Sequence, residues 1–218
     1  MKRVKRIALA LVCVMLVGAL SGCGSKFDAP GYLNALLDAS YKGDYKAFVD
    51  MKLGTEEEAA DLYEQGIDAE MNAFLSGMSV SDELEGEFRD IFKQMLGSVK
   101  YTVGEAEKQD DDYVVTVTYQ KMKIFEPVMT QYMDEITALT EEWTSNPDSM
   151  PTTEDEMMEA MLVILRDCMK EALPNVEYGE SATTTVRIEL IDNVYTPNQR
   201  DVTNLETIFF DTEAASSF

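Results

Sequence analysis

The chain has 218 residues, with 41 acidic against 18 basic side chains, a formal net charge of −23, and no histidine. Such a field repels phosphate backbones and anionic headgroups, which disfavours nucleic-acid binding and electrostatic docking to membranes. The missing imidazole removes Ser-His and Cys-His dyads, the usual zinc sites and the commonest general base near neutral pH.

Met1 to Arg6 holds Lys2, Arg3, Lys5 and Arg6 with no acid, the positive start of an export signal. Ile7 to Leu20 follows as 14 uncharged residues. That length suits the apolar core of a signal peptide and falls short of the roughly 20 residues a spanning helix needs. Leu20-Ser21-Gly22-Cys23 comes next: an aliphatic residue, two small ones, then cysteine. It resembles the lipobox of bacterial lipoproteins. The resemblance implies thioether diacylglyceryl transfer to the Cys23 sulfur, cleavage between Gly22 and Cys23, and acylation of the new amine by a chain such as palmitate. Each buried methylene contributes about 0.8 kcal/mol, and two chains hold where one comes off. The expected address is the extracytoplasmic face of a cell membrane, reached through lipid on Cys23.

Residues 1–22 are thus read as the signal peptide and 23–27 as lipidated cysteine and short tether. Residues 28–210 are expected to form a single ectodomain, and 211–218 a flexible tail. Removing the signal leaves 196 residues, enough for one domain with a core of its own. Four basic residues leave with it, so 14 remain against 41 acids, a balance of −27. Solubility beside a membrane accounts for this acidity, with a cationic partner or loosely held divalent ions as the sharper alternative. Cys13 leaves with the signal and Cys23 carries lipid, so Cys168 has no partner for an intrachain disulfide.

Helical reading begins at Asp28, an N-cap with Pro30 in the first turn, and carries Tyr32, Leu33, Leu36 and Leu37 at helical spacing. Lys42-Gly43-Asp44 breaks it, and Tyr45, Phe48 and Val49 start a short second helix that Gly54 ends. Thr55-Glu56-Glu57-Glu58 is a capping box opening a stripe of Ala59, Leu62, Tyr63, Ile67, Met71, Phe74 and Leu75. Ser81 or Asp82 caps the next helix, through Leu84, Phe88, Ile91, Phe92, Met95 and Leu96.

The period then changes to two. Val99, Tyr101 and Val103 alternate with polar residues, as do Val115, Val117 and Tyr119 beyond a polar loop at 108–112, which predicts an antiparallel hairpin. Helix resumes near Pro127 with Phe125, Met129, Tyr132, Ile136, Leu139 and Trp143. After a loop at 144–152, a second capping box at Thr153 to Glu156 opens a Met-rich helix that Pro174 stops. A strand is expected over 183–191 and a closing helix over 201–210. Runs of helices separated from a few antiparallel strands predict an α+β fold, several amphipathic helices packed on a small curved antiparallel sheet.

Each group of chemistry-bearing residues has a plainer alternative. Asp110-Asp111-Asp112 lacks the glycine and distal glutamate of a calcium loop and reads as a solvated hairpin tip. Glu56-Glu57-Glu58 and Glu141-Glu142 sit at helix ends or on polar faces, without the pocket that glycoside cleavage requires of one acid. Met157, Met158, Met161 and Met169 beside Cys168 are soft copper(I) donors in principle, but methionine at helical spacing is adaptable core filling. Cys168 lacks a base to activate it and reads as a buried apolar thiol. No catalytic, cofactor-binding or metal-ligating residue is assigned, and no cofactor. The site residues are those of processing, Gly22 and Cys23.

Signal, lipobox, capped helices, and Val99-Lys100-Tyr101-Thr102-Val103 leading through acids into Tyr113-Val114-Val115-Thr116-Val117 together resemble lipoproteins of unknown function common in Gram-positive bacteria. That resemblance implies an ectodomain similar to a cystatin-like roll, helices laid on a curved antiparallel sheet, and it supplies no catalytic residues. The expected function is that of a non-catalytic, lipid-anchored module acting through binding at the cell envelope. The alternative is a ligand-capturing lipoprotein with a small-molecule or peptide pocket between sheet and helices, which the ten tyrosines and Trp143 could line. Hydrolase is a third class. Partners are therefore the membrane and an unknown protein or small molecule, not nucleic acid.

Overall fold

The computed structural model of the chain describes residues 27–215. The signal and lipobox, Gly22 and Cys23 included, lie outside the described residues. Asp28 caps α1 (Ala29–Leu37), its carboxylate accepting from the Gly31 N–H at 3.0 Å, with Pro30 in the first turn where its missing N–H costs nothing. The helix then widens into a π-turn over Asp38–Lys42, which the periodicity does not reveal. Gly43, at φ 60°, closes it in the left-handed region, its N–H returning to the Asp38 carbonyl. The short helix α2 (Lys46–Asp50) buries Phe48.

The capping box at Thr55 and Glu58 forms as the sequence predicts and opens α3 (Glu56–Phe74). Next, α4 (Asp82–Gly97) buries Leu84, Phe88, Ile91, Phe92, Met95 and Leu96 on one face. Phe74 meets Phe88 edge-on at 5.0 Å between centroids. Across the same pair of helices Arg89 binds Glu64 at 2.7 Å and also Asp68, while Lys93 takes the other Glu64 oxygen at 2.7 Å.

Four strands form one antiparallel sheet in chain order: β1 (Lys100–Gln109), β2 (Asp112–Lys123), β3 (Glu177–Ile191) and β4 (Val194–Pro197). Tyr113, Val115 and Val117 alternate inward, and β3 sets Ile188 and Val186 opposite the first two. The other face carries a threonine row: Thr102 pairs Thr118, which pairs Thr183, and Thr116 pairs Thr185. β-branched side chains suit a solvent-facing sheet surface.

Four expectations about the strands and the last helix are corrected. The first loop is a two-residue turn at Asp110-Asp111 and not five residues long, because Asp110 adopts φ 54° and the ladder runs to Gln109 and Asp112. β3 starts at Glu177, six residues earlier than alternation predicts, since exposed Glu180 to Thr183 show no apolar period. A second tight turn, Asp192 and Asn193 both at positive φ, adds β4, which the alternation does not reveal. The closing helix α7 (Gln199–Phe209) begins two residues before the expected start, capped by the Asn198 side chain.

Between β2 and β3 the chain makes a helical hairpin, α5 (Phe125–Ser145) and α6 (Glu154–Ala172), the latter opened by the predicted box at Thr153 and Glu156. α6 is tied to α4 by Glu87, which binds Lys170 at 2.6 Å and Arg166. α1 and α7 lie on the apolar sheet face, and the core between them includes Leu33, Leu37, Tyr41, Phe88, Met95, Phe209 and Phe210.

Residues 211–215, expected as part of a flexible tail, are ordered against the domain. Asp211 donates its N–H to the Met122 carbonyl at 3.1 Å and accepts from the Ile124, Phe125 and Glu126 amides, and α8 (Thr212–Ala215) follows. Phe27, expected in the tether, is packed against the core.

Candidate functional site

Two places stand out. The first is where the described chain begins. Phe27 stacks flat on Tyr195 of β4, centroids 3.9 Å apart with 12° between the planes, and meets Tyr32 and Tyr113 at 5.4 Å each. Tyr32 Oη donates to the Tyr195 carbonyl at 2.9 Å, and burial pushes the Tyr32 hydroxyl up to about 12. The four rings join α1 to the end of the sheet where both tight turns lie. Leu190 donates its N–H to the Asp112 carboxylate at 2.8 Å, so Asp112 closes the sheet end. Among the described residues no three His, Cys, Asp or Glu side chains gather as a metal site would require.

The second is a pair of carboxyl groups inside the molecule. Glu70 of α3 is 3% exposed and Glu206 of α7 is 4% exposed, the buried charged-type residues among an otherwise apolar core. On each, Oε1 has no hydrogen-bond partner. Burial pushes Glu70 up to about 7; burial first, and the charge of Glu70 second, push Glu206 up to about 8. Two residues further along α7, Ile208 is half-buried, and Phe209 then fills the space between Tyr41, Tyr101 and Tyr119. The sequence did signal this pair. Glu70 falls on the apolar stripe between Ile67 and Phe74, and Glu206 falls between Leu205 and Phe209, positions where a helix facing a core carries no charge.

Several cations of the domain are held in ion pairs: Lys42 with Asp38, Arg89 and Lys93 with Glu64, and Arg187 with Asp201 and Glu189. Asp38 is itself a junction, accepting from Tyr101 Oη at 2.7 Å and Asn34 Nδ2 at 2.6 Å besides Lys42. Burial, then that hydrogen bond and the charge of Asp38, raise the Tyr101 hydroxyl.

The remaining sequence candidates are dispersed. Glu58 serves its capping box, where the Thr55 hydrogen bonds hold its carboxyl below the usual range, and Glu141 and Glu142 are exposed on α5. Cys168 and Met169 are buried in α6; burial, then the carboxylates of Glu135, Asp167 and Glu171, push the Cys168 thiol up, away from thiolate chemistry. Met157, Met158 and Met161 are half-buried on the same helix. Trp143 is half-buried near the far end of α5, in a helix that buries Val128 alone among its residues. An open groove of about 470 Å³, lined in part by Arg187, Thr196, Asn198 and Arg200, lies where β4 runs into α7. Among the described residues no helix is long and apolar enough to cross a membrane.

The fold places the chain in the α+β class, helices packed on an open, four-stranded antiparallel meander. The crystal structure of ycdA from Bacillus subtilis subsp. subtilis str. 168, provisionally described as a lipoprotein, shares it with a TM-score of 0.57 and 14% sequence identity. The likeness covers 82% of this chain and 55% of that one, so the chain spans about half the length of ycdA. At that identity the likeness is one of fold. No family model matches the sequence, and no curated protein matches it.

Proposed function

We propose that the chain is a lipid-anchored, extracytoplasmic module, held by Cys23 on the outer face of a cell membrane and acting through binding and not catalysis. The observation that carries this reading is the clamp on Phe27. Phe27 lies four positions after Cys23, a reach of about 14 Å when fully extended. Three tyrosines fix Phe27 to the sheet end, so an anchor at Cys23 would hold the domain close against the bilayer, with the turns at Asp110-Asp111 and Asp192-Asn193 turned toward it. The likeness in fold to ycdA, itself provisionally a lipoprotein, supports the same reading. Packing of α1 and α7 on one face of a four-stranded meander supports the cystatin-like comparison for the roll. The partner on this reading is a protein or small molecule at the cell envelope, not nucleic acid.

Metabolic labelling with a tagged fatty acid tests the anchor. Label enters the wild-type chain, which fractionates with membranes, and is lost on Cys23→Ala. Continued labelling of that variant, or a mature chain that keeps its initiator methionine, refutes it.

The groove beside Arg187 and Arg200 favours ligand capture as the second reading, at the β4–α7 junction instead of between sheet and helices. Thermal-shift screening against sugars, peptides, divalent metals and lipids separates the two. A ligand that binds the folded state raises the melting temperature by mass action.

A further inference from the structure

We propose that the outer half of the α5–α6 hairpin is a docking surface for a cationic amphipathic helix presented at the cell envelope. α5 has 21 residues, roughly 31 Å of helix, and buries Val128 alone. Its apolar stripe runs on through Tyr132, Ile136, Leu139 and Trp143, all half-buried, yet the side chains of α5 that pack against the core end at Tyr132. On α6, Met158 and Leu162 join the core contacts, and Met157 and Met161 stay half-buried outside them. The hairpin therefore carries an apolar seam toward its tip that its own two helices cover only in part. Met133 and Met150 beside it are 45% and 44% exposed. A helix facing a filled core buries its stripe outright, so this one is short of a partner.

The charge of the arm selects that partner. Between Lys123 and Arg166 the chain has ten acidic residues and no basic one. Glu135 and Glu142, both exposed, lie seven positions apart on one side of α5, each next to a seam residue. Arg166 and Lys170, further along α6, are bound to Glu87 of α4. A second copy of the chain would bring two such acidic arms together with no cation between them, and an anionic bilayer would be repelled. A helix with lysine or arginine along one face and leucine-like side chains along the other meets both demands, its apolar face in the seam and its cations on the flanking carboxylates. Six of the chain's 14 methionines fall in the same stretch, unbranched side chains that adapt to different apolar partners.

This inference rests on the reading of the chain as a binding module and names the class of its partner; it stands whether or not Cys23 carries lipid. Trp143, the chain's one tryptophan, sits in the seam and reports on it directly.

The test titrates the full-length chain, in the presence of phosphatidylcholine vesicles, with a tryptophan-free helix of leucine and lysine about 18 residues long. Trp143 emission moves to shorter wavelength and saturates, while a scrambled peptide of the same composition and a leucine-glutamate counterpart leave it in place. Glu135→Gln/Glu142→Gln, which alters exposed side chains only, weakens the titration about fivefold or more, and added salt weakens the wild type in the same direction. Ile136→Ser/Leu139→Ser abolishes the shift. An emission that does not move, a scrambled peptide that works equally well, or a charge variant that binds as the wild type does each overturns the proposal. So does a shift with vesicles alone, which gives the seam to the bilayer, or one that grows with protein concentration, which gives it to a second copy. Calorimetric binding of the peptide with Trp143 unmoved overturns this surface and leaves the binding-module reading intact.

Discussion

Asp211 accepts a hydrogen bond from the Phe125 N–H at 3.0 Å, across 86 positions of chain. It also accepts from Ile124 at 3.1 Å and Glu126 at 3.3 Å, satisfying amides that no side chain of α5's own N-terminus reaches. A residue read as the start of a loose tail is thus the N-cap of the longest helix, supplied from elsewhere in the sequence. Replacing it with alanine leaves those donors orphaned. Asp211→Ala should lower stability by about 1–2 kcal/mol, and Asp211→Asn, which still caps, by less. Urea denaturation of the two variants measures both.

Phe27 contacts three tyrosine rings and is the first residue of the described domain. Phe27→Ala should cost about 1–3 kcal/mol in ring contacts and burial. It should also free the tether, so that limited proteolysis cuts ahead of α1 faster than in the wild type. An unchanged cutting rate would show that the clamp does not hold the start of the domain.

Gly43 stands at φ 60°, and a Cβ there would meet Tyr45 Oη at 3.5 Å and the Tyr63 ring at 3.7 Å, ordinary van der Waals contact. The cost of a side chain is then one of backbone conformation alone. Gly43→Ala should destabilise by about 1 kcal/mol, read from the shift in denaturation midpoint at unchanged slope.

At low pH a second set of carboxyls takes over from the buried pair. The Lys93 hydrogen bond, outweighing burial and aided by Arg89, holds Glu64 below the usual carboxylate range. Burial alone would raise Asp201, but the Arg187 hydrogen bonds and charge hold it low. Groups depressed in the folded state contribute stability above their unfolded values, and it is lost as pH falls through the folded ones. Unfolding should therefore steepen as the pH drops through and below about 4. Glu64→Gln should flatten that limb in a pH series of melting curves while leaving the alkaline limb unchanged.

Cys168 is 1% exposed and its thiol is raised by burial and three carboxylates. A thiol reagent should leave it unmodified in the native protein at pH 8 and label it within minutes in urea, with peptide mapping to locate the adduct. Rapid labelling of the native chain would contradict the packing of α6.

Much of the fold is legible because its signals are local. Capping boxes at Thr55 and Thr153, the Asp28 cap with Pro30, and the inward run Tyr113, Val115, Val117 specify helix starts and a strand from neighbours within a few residues. The π-turn at Asp38 and the extension of β3 through exposed Glu180 to Thr183 carry no such signal, since a strand that pairs on one side and faces water need not alternate. β4 is short and begins at an Asp-Asn turn that the alternation did not expose.

The candidate sites divide the same way. The resemblance of Leu20 to Cys23 to a lipobox is a matter of residue order alone, so sequence by itself determined the expected address, along with the α+β class and the lack of imidazole chemistry. Only tertiary structure decided that Phe27 belongs to the domain, that Asp211 caps a helix 86 residues away, and that Glu70 and Glu206 are buried. The reason is physical: a charge on an apolar stripe says that something is unusual, but its solvation, and so its protonation, depends on which distant segment closes over it.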